Sequence, residues 1–179
     1  MFKLVKPELC YKEKAILYIN ELLSYNSAIH GTGFLDRYLE SSSYEKWLDE
    51  IRYLEFNSDS SKVSASTFFM VDDNDFIVGM VNIRHTLNDK LLFHGGNIGY
   101  SIRPTERGKG YAKIALFLAL KECSYLGLTR VLITAEDNNV PSYRTIEALG
   151  GVMENKVLDD GKYFRRYWID VEKSLGVFI

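Results

Sequence analysis

The sequence predicts one α/β domain, a mixed and mostly antiparallel sheet of six to seven strands flanked by about four helices. Three observations predict it. Short β-rich runs recur with turn residues between them, as in hairpins. A single long helical pattern, Lys109 to Leu126, separates the first group of strands from the last. With 179 residues, 46% of them hydrophobic, the chain can bury one good core and is short for two, so residues 1–179 read as a single domain.

Taken in order, Phe2 to Lys6 alternates like a strand, and Pro7-Glu8 opens a helix with apolar positions at Leu9, Ile16, Ile19, Leu22 and Leu23. Residues Ala28 to Ser43, with Gly31-Thr32-Gly33 and several serines, read as irregular. A second helix runs through Trp47, Leu48, Ile51 and Leu54, and a polar break from Asn57 to Ser66 ends it. Thr67–Val71 and Phe76–Arg84 flank Asp72-Asp73-Asn74-Asp75, a hairpin signal. After a loop from Thr86 to Phe93 comes the strand Asn97–Ile102, which Arg103-Pro104 limits. The long helix carries Ala112, Ala115, Leu116, Ala119, Leu120 and Cys123 on one face, with Gly127 closing it. Arg130–Ala135 is a buried strand. Asn138 to Ser142 starts a short helix that Gly150-Gly151 ends, and Val152–Val157 with Tyr163–Val171 forms a hairpin across Leu158 to Gly161. The order is β-α-α-β-β-β-α-β-α-β-β, antiparallel strands leading into one parallel crossover.

A net charge of −2 offers no broad basic field, so nucleic acid and anionic membrane are not expected partners, and a metabolite or a protein is. The start of the chain lacks a signal-peptide core, and the longest later apolar run, Ile114 to Leu120, is far short of a membrane span, which predicts a cytoplasmic protein. Cys10 and Cys123 both fall in helical patterns among apolar neighbours. They are expected to be buried inert thiols, with no disulfide or metal framework.

The segment with chemical content is Arg107-Gly108-Lys109-Gly110-Tyr111-Ala112, a glycine-rich turn between a strand and the first turn of the strongest helix. Glycines let backbone approach a ligand, and the unpaired N–H groups of a helix start attract anions. Arg107 and Lys109 add charge, so the turn is a candidate pyrophosphate cradle. A P-loop would need Ser or Thr after Gly108-Lys109, where Gly110 stands. A dinucleotide fingerprint would need Gly or Ala at Lys113, in a strand-helix unit that leads the fold.

Arg107-x-x-Gly110-x-Ala112 resembles the acetyl-CoA signature of the GNAT superfamily, Gln/Arg-x-x-Gly-x-Gly/Ala. The preceding Gly99–Ile102 resembles that family's fourth strand, with its Arg-Pro exit. Asn139-x-x-Ser142-x-Arg144-x-x-Glu147-x-x-Gly150 is similar to its second CoA-side element, so the resemblance covers Asn97 to Gly151 specifically. It implies an acyl-CoA-dependent N-acetyltransferase with acetyl-CoA as co-substrate. In that reading the backbone of Tyr100, Ser101 and Ile102 faces the pantetheine arm, the residues from Arg107 to Ala112 hold the pyrophosphate, and Asn139 and Ser142 lie towards the thiol. An arm bearing amides can also complete an open strand edge.

Direct transfer to a neutral amine needs a positioned thioester, support for the oxyanion and a proton for the thiolate. No nucleophilic cysteine is expected. Many GNAT relatives place a Tyr four residues before the closing Gly and a Glu on strand five. Ile146 and Thr134 stand there in this chain. The Asn-x-x-Ser element resembles the branch holding ribosomal-protein and small-amine acetyltransferases, which makes Ser142 the group nearest sulfur. His85, at a strand end, is the candidate base, with His94, Glu136 and Asp137 as alternatives through water.

The acceptor, a small-molecule or peptide amine, is expected to meet the loops Ser27–Ser43 and Thr86–Gly96. Gly95 to Asn97 and the aromatic end Tyr163–Trp168 could join them, although strand packing is the favoured reading of those aromatics. A homodimer is among the assemblies allowed. A non-catalytic CoA-binding module on the same fold is the rival, and an acyl group longer than acetyl a further alternative.

Overall fold

The computed structural model describes residues 1–59 and 61–177. Among the described residues, seven strands form two sheets. The first has the order β1-β2-β3-β4, made of β1 (Lys3–Val5), β2 (Ala65–Val71), β3 (Ile77–Arg84) and β4 (Ile98–Ile102). The second has the order β5-β7-β6, made of β5 (Arg130–Glu136), β6 (Val152–Asp159) and β7 (Lys162–Asp170). Every ladder is antiparallel. The β2–β3 hairpin turns where Asp72 Oδ1 accepts from the N–H groups of Asn74 and Phe76.

The expected parallel pairing of β4 with β5 does not form as a ladder. The sheets touch at a Gly96–Ile133 bridge and at Asn97, whose N–H donates to the Leu132 carbonyl while its Oδ1 accepts from the Leu132 N–H, at 2.7 and 2.8 Å. A side chain takes the place of the next backbone acceptor, so the ladder stops and the strands part.

Four helices follow the apolar periodicity: α1 (Lys12–Ser24), α3 (Tyr44–Phe56), α5 (Tyr111–Tyr125) and α6 (Val140–Ala148), while α2 (Leu35–Ser41), α4 (Asp89–Phe93) and α7 (Val171–Val177) lie where no helix is expected. Each of these three is seven residues or shorter, with few apolar side chains to mark a period. The first helix begins later than predicted, after a 3-10 turn at Leu9–Tyr11, since Glu8 is extended and offers no side-chain cap. Its buried stripe is Ala15, Tyr18, Ile19 and Leu22, which leaves Leu9 and Leu23 exposed.

The first sheet is packed on both faces. One face, with Phe68, Met70, Val81 and Ile83, packs with α5, β5 and β7 around Leu116, Leu120 and Ile133. The other, with Phe69, Val71 and Met80, packs on α1 and α3 around Tyr18, Leu22 and Trp47. This two-faced burial explains the apolar run of β3. Cys123 is buried, where burial pushes its thiol up to about 12. Cys10 is exposed, contrary to expectation, because it sits in the 3-10 turn outside the stripe of α1. Among the described residues, no helix is long and apolar enough to cross a membrane.

Candidate active site

Strand β4 runs through a 3-10 turn at Pro104–Glu106 into the glycine-rich segment and then α5. Arg103 anchors this path. Its Nε donates to the Ile77 carbonyl at 2.8 Å and its Nη1 to Glu21 of α1 at 2.7 Å, while Glu21 also accepts from the N–H and hydroxyl of Thr105. Arg107 Nε folds back to the Ile102 carbonyl at 3.1 Å. Gly108 and Gly110 have φ of 78° and 79°, and a Cβ on either would meet nothing within 4 Å. Glycine is therefore set here by backbone conformation and an open approach, not by packing. Gly110 caps α5, and its carbonyl accepts from the Lys113 N–H at 3.1 Å.

These residues border a groove of about 530 Å³. Tyr100, Ser101, Ile102, Arg107, Gly108, Gly110, Tyr111, Ala112, Asn139 and Ser142 all line it. Lys109 does not, and instead pairs with Glu106 at 2.9 Å. An open turn with two left-handed glycines, the N-terminus of α5 and a nearby guanidinium suits a pyrophosphate, so the residues present fit acetyl-CoA.

The second CoA-side element is the start of α6. Asn139 Oδ1 accepts from the Ser142 N–H at 3.3 Å, and Ser142 Oγ meets Tyr100 Oη at 3.4 Å. Burial raises the Tyr100 pKa, so the phenol keeps its proton. A second cavity of about 740 Å³ adjoins the groove, and Ala28, His30, Tyr100, Asn139, Pro141 and Ser142 border both. The loop carrying His30 is drawn onto β4: Ser101 Oγ donates to the His30 carbonyl at 2.6 Å, Tyr18 Oη lies 2.9 Å from Ser101 Oγ, and a Cβ at Gly31 would strike the Gly99 carbonyl.

His85 lines neither cavity. Side chains alternate along β3, so Asn82 and Arg84 face the larger cavity while Ile83 and His85 face the other way. His85 meets Ser66 Oγ at 2.9 Å there, so the structure does not bring it together with the other candidate residues. His94 does border the cavity, held by Asp159 at 2.8 Å and against the Phe164 ring. Glu136 borders it too, paired with Lys162 at 2.9 Å, whereas Asp137 is occupied by Lys156 and Arg165 outside it.

The residue missed from sequence is His30. It borders both cavities, and burial lowers its pKa; Glu136 opposes that, and Arg84, His94 and Lys162 add to it. It sits in an aperiodic loop, so only the pairing of that loop with β4 reveals it. Ile146, where many relatives hold an acid, is fully buried, and Thr134 Oγ1 accepts from the Gly95 N–H at 3.1 Å.

Residues 21–152 match the acetyltransferase (GNAT) domain family. The chain belongs to the GNAT acetyltransferases. It is an acyl-CoA-dependent N-acetyltransferase whose co-substrate is acetyl-CoA. Solved GNAT structures share its fold. Mycobacterium smegmatis RimJ, in complex with CoA-disulfide, has a TM-score of 0.70 at 18% identity, covering 96% of this chain and 83% of that one. The microcin self-immunity acetyltransferase MccE, in complex with acetyl-CoA and AMP, has 0.68 at 20%, covering 94% and 92%. Mutant forms of the spermidine/spermine N-acetyltransferase SpeG from Vibrio cholerae have 0.65 at 17%, covering 99% and 98%. No curated protein matches the sequence. In this GNAT fold the groove at Arg107–Ala112 and the larger cavity share Tyr100 of β4, and the larger cavity also borders Ile133–Glu136 of β5.

Proposed function

We propose that this acetyltransferase moves the acetyl group to a primary amine of a small molecule or peptide by direct transfer, with CoA in the groove of Arg107–Ala112 and the amine in the larger cavity. The observation that carries this reading is the junction at His30, Tyr100, Asn139 and Ser142, shared by both spaces. Two substrates entering from opposite ends would meet there, which is the proximity that direct transfer requires.

Acetyl-CoA supplies an activated thioester carbonyl. The N–H groups of Gly108 to Ala112 hold its phosphates. His30, neutral at pH 7 by its lowered pKa, accepts a proton from the amine. The amine nitrogen forms the C–N bond as the C–S bond breaks. The Tyr100–Ser142 pair has two hydroxyl protons and uses one internally, so the other is left for the departing sulfur. This pair takes the place of the acid absent at Ile146.

The test is thiol release from acetyl-CoA across a panel of amines, beside calorimetry of acetyl-CoA binding to wild type and Gly110→Glu. Amine-dependent release, with affinity lost in the variant, supports the proposal. Tight acetyl-CoA binding with no amine-dependent release would identify a non-catalytic module instead.

A further inference from the structure

The larger cavity differs in charge from the chain as a whole. The chain carries −2, yet Arg37, Lys62, Arg84 and Lys90 border this cavity against the carboxylates of Asp36 and Glu136. Both acids are engaged, Asp36 by the Thr32 hydroxyl at 3.2 Å and Glu136 by Lys162 at 2.9 Å.

Arg84 stands apart among the four cations. Its guanidinium lies against Gly99 of β4, where an added Cβ would approach Nη2 to 3.3 Å and Nη1 to 3.4 Å. Nη1 donates to the carbonyls of Gly95 and Gly96 at 3.2 and 3.3 Å. Among the described residues, no carboxylate forms an ion pair with it. Burial alone pushes its pKa down to about 10, with no acid offsetting the cost of the charge. A guanidinium keeps its proton at that value, so an uncompensated positive charge persists on the cavity wall. No fully buried side-chain nitrogen among the described residues lacks a partner. The Nε and Nη2 donors of Arg84, which bond no group among the described residues, therefore open to solvent space, and the space beside Arg84 is the cavity.

A desolvated guanidinium with unused donors is built to receive an oxyanion, and partial neutralisation by carbonyls fixes the plane of its fork. The alternation of β3 and β4 adds direction. Arg84 and Gly99 share the face towards α1 and α3, whereas Tyr100, one residue on, turns to Ser142. The Arg84 guanidinium of β3 thus lies against Gly99, the β4 residue next to Tyr100.

Resting on the acyl-transfer reading above, we infer that the acceptor is a short amine that also bears a carboxylate or phosphate, bound as an oxyanion by Arg84, and that polyamines are excluded. A spermidine-like acceptor would place cationic nitrogens against Arg84, on a wall where Arg37, Lys62, Arg84 and Lys90 outnumber Asp36 and Glu136.

The test compares wild type, Arg84→Met and Arg84→Lys with α-amino acids, their amides, 2-aminoethyl phosphate and spermidine. Binding is measured by calorimetry in the presence of CoA, and acetylation by thiol release. Wild type should bind the oxyanion-bearing amines roughly 10- to 100-fold more tightly than the amides, the range that charge-assisted bonds supply. Arg84→Met should erase that ratio. Arg84→Lys keeps the charge without the fork and should retain part of it, which covers the case of a poorly folded methionine variant. The ranking of amino acids against 2-aminoethyl phosphate separates carboxylate from phosphate. Equal binding of acids and amides by wild type, a preference for spermidine, or an unchanged ratio in folded Arg84→Met would overturn the inference. Oxyanion-selective binding without acetylation would sink the transfer reading and leave this one standing. Acetylation of acids and amides at equal rates would do the reverse.

Discussion

Tyr100 Oη and Ser142 Oγ, 3.4 Å apart, link the last strand before the CoA turn to the first turn of α6. The contact spans the opening between the sheets at the point that both cavities share. Tyr100→Phe should lower kcat by about 100-fold, the lower end of what a positioned proton donor supplies, while leaving the acetyl-CoA dissociation constant within about threefold. Ser142→Ala should fall in the same direction, and the double variant should cost less than the sum of the two, since the hydroxyls act as a unit. Single-turnover kinetics with calorimetry checks this.

As the proposed base, His30 should set the acid side of the pH profile. Its folded pKa lies below the ordinary 6.5, from burial first, with Glu136 opposing and Arg84 adding. kcat/KM should therefore show a rising limb with a midpoint below 6.5, beside the amine's own ionisation at higher pH, and His30→Ala should remove that limb. Stability follows the same sign. The unfolded chain takes up the proton first as pH falls, so this residue costs stability progressively below about 6.5 and nothing above it. Rate profiles from pH 5 to 9 read the first effect and thermal melts the second.

Gly110 has open space around it and φ of 79°, so its replacement acts through backbone and ligand. Gly108→Ala should cost about 1 kcal/mol of stability from the left-handed conformation and weaken acetyl-CoA severalfold. Gly110→Glu, which puts a negative charge into the phosphate cradle, should abolish measurable acetyl-CoA binding while melting within a few degrees of wild type. Calorimetry beside melting curves separates the two effects.

The Glu21–Arg103 pair holds the start of the cradle to α1. Burial alone would raise the Glu21 carboxyl, but the bonds from Thr105 and Arg103 outweigh it, so its pKa lies below the ordinary value. A depressed carboxyl stabilises above its unfolded pKa near 4.5, and that contribution is lost as pH falls through the folded value. Glu21→Gln should destabilise by about 1–3 kcal/mol at pH 7, because Arg103 is left buried with one fewer acceptor. The difference from wild type should shrink on acidification, as urea titrations at pH 7 and pH 3.5 would show.

What the sequence carried plainly was whatever depends on local periodicity or backbone geometry. The stripe of α5 and the hairpin at Asp72–Asp75 have the expected residues, and the turn at Arg107–Ala112 lies at the head of a groove. What it hid depends on which face of a strand a residue occupies. His85 and Arg84 are neighbours, and only the register with β2 shows that Arg84 turns to the cavity and His85 to Ser66. Helices α2 and α7 were hidden for another reason, since seven residues hold too few turns for a period to emerge.

Asn97 shapes the cleft through what it withholds. By giving Leu132 a side-chain oxygen in place of a backbone one, it closes the seam between the sheets at one end and leaves the rest unzipped. The cleft is thus a pairing left unfinished rather than a hollow cut into a finished core. Its floor belongs to the scaffold, so remodelling of the flanking loops could redirect the enzyme to other amines while the slot for the thioester stays where the strands diverge.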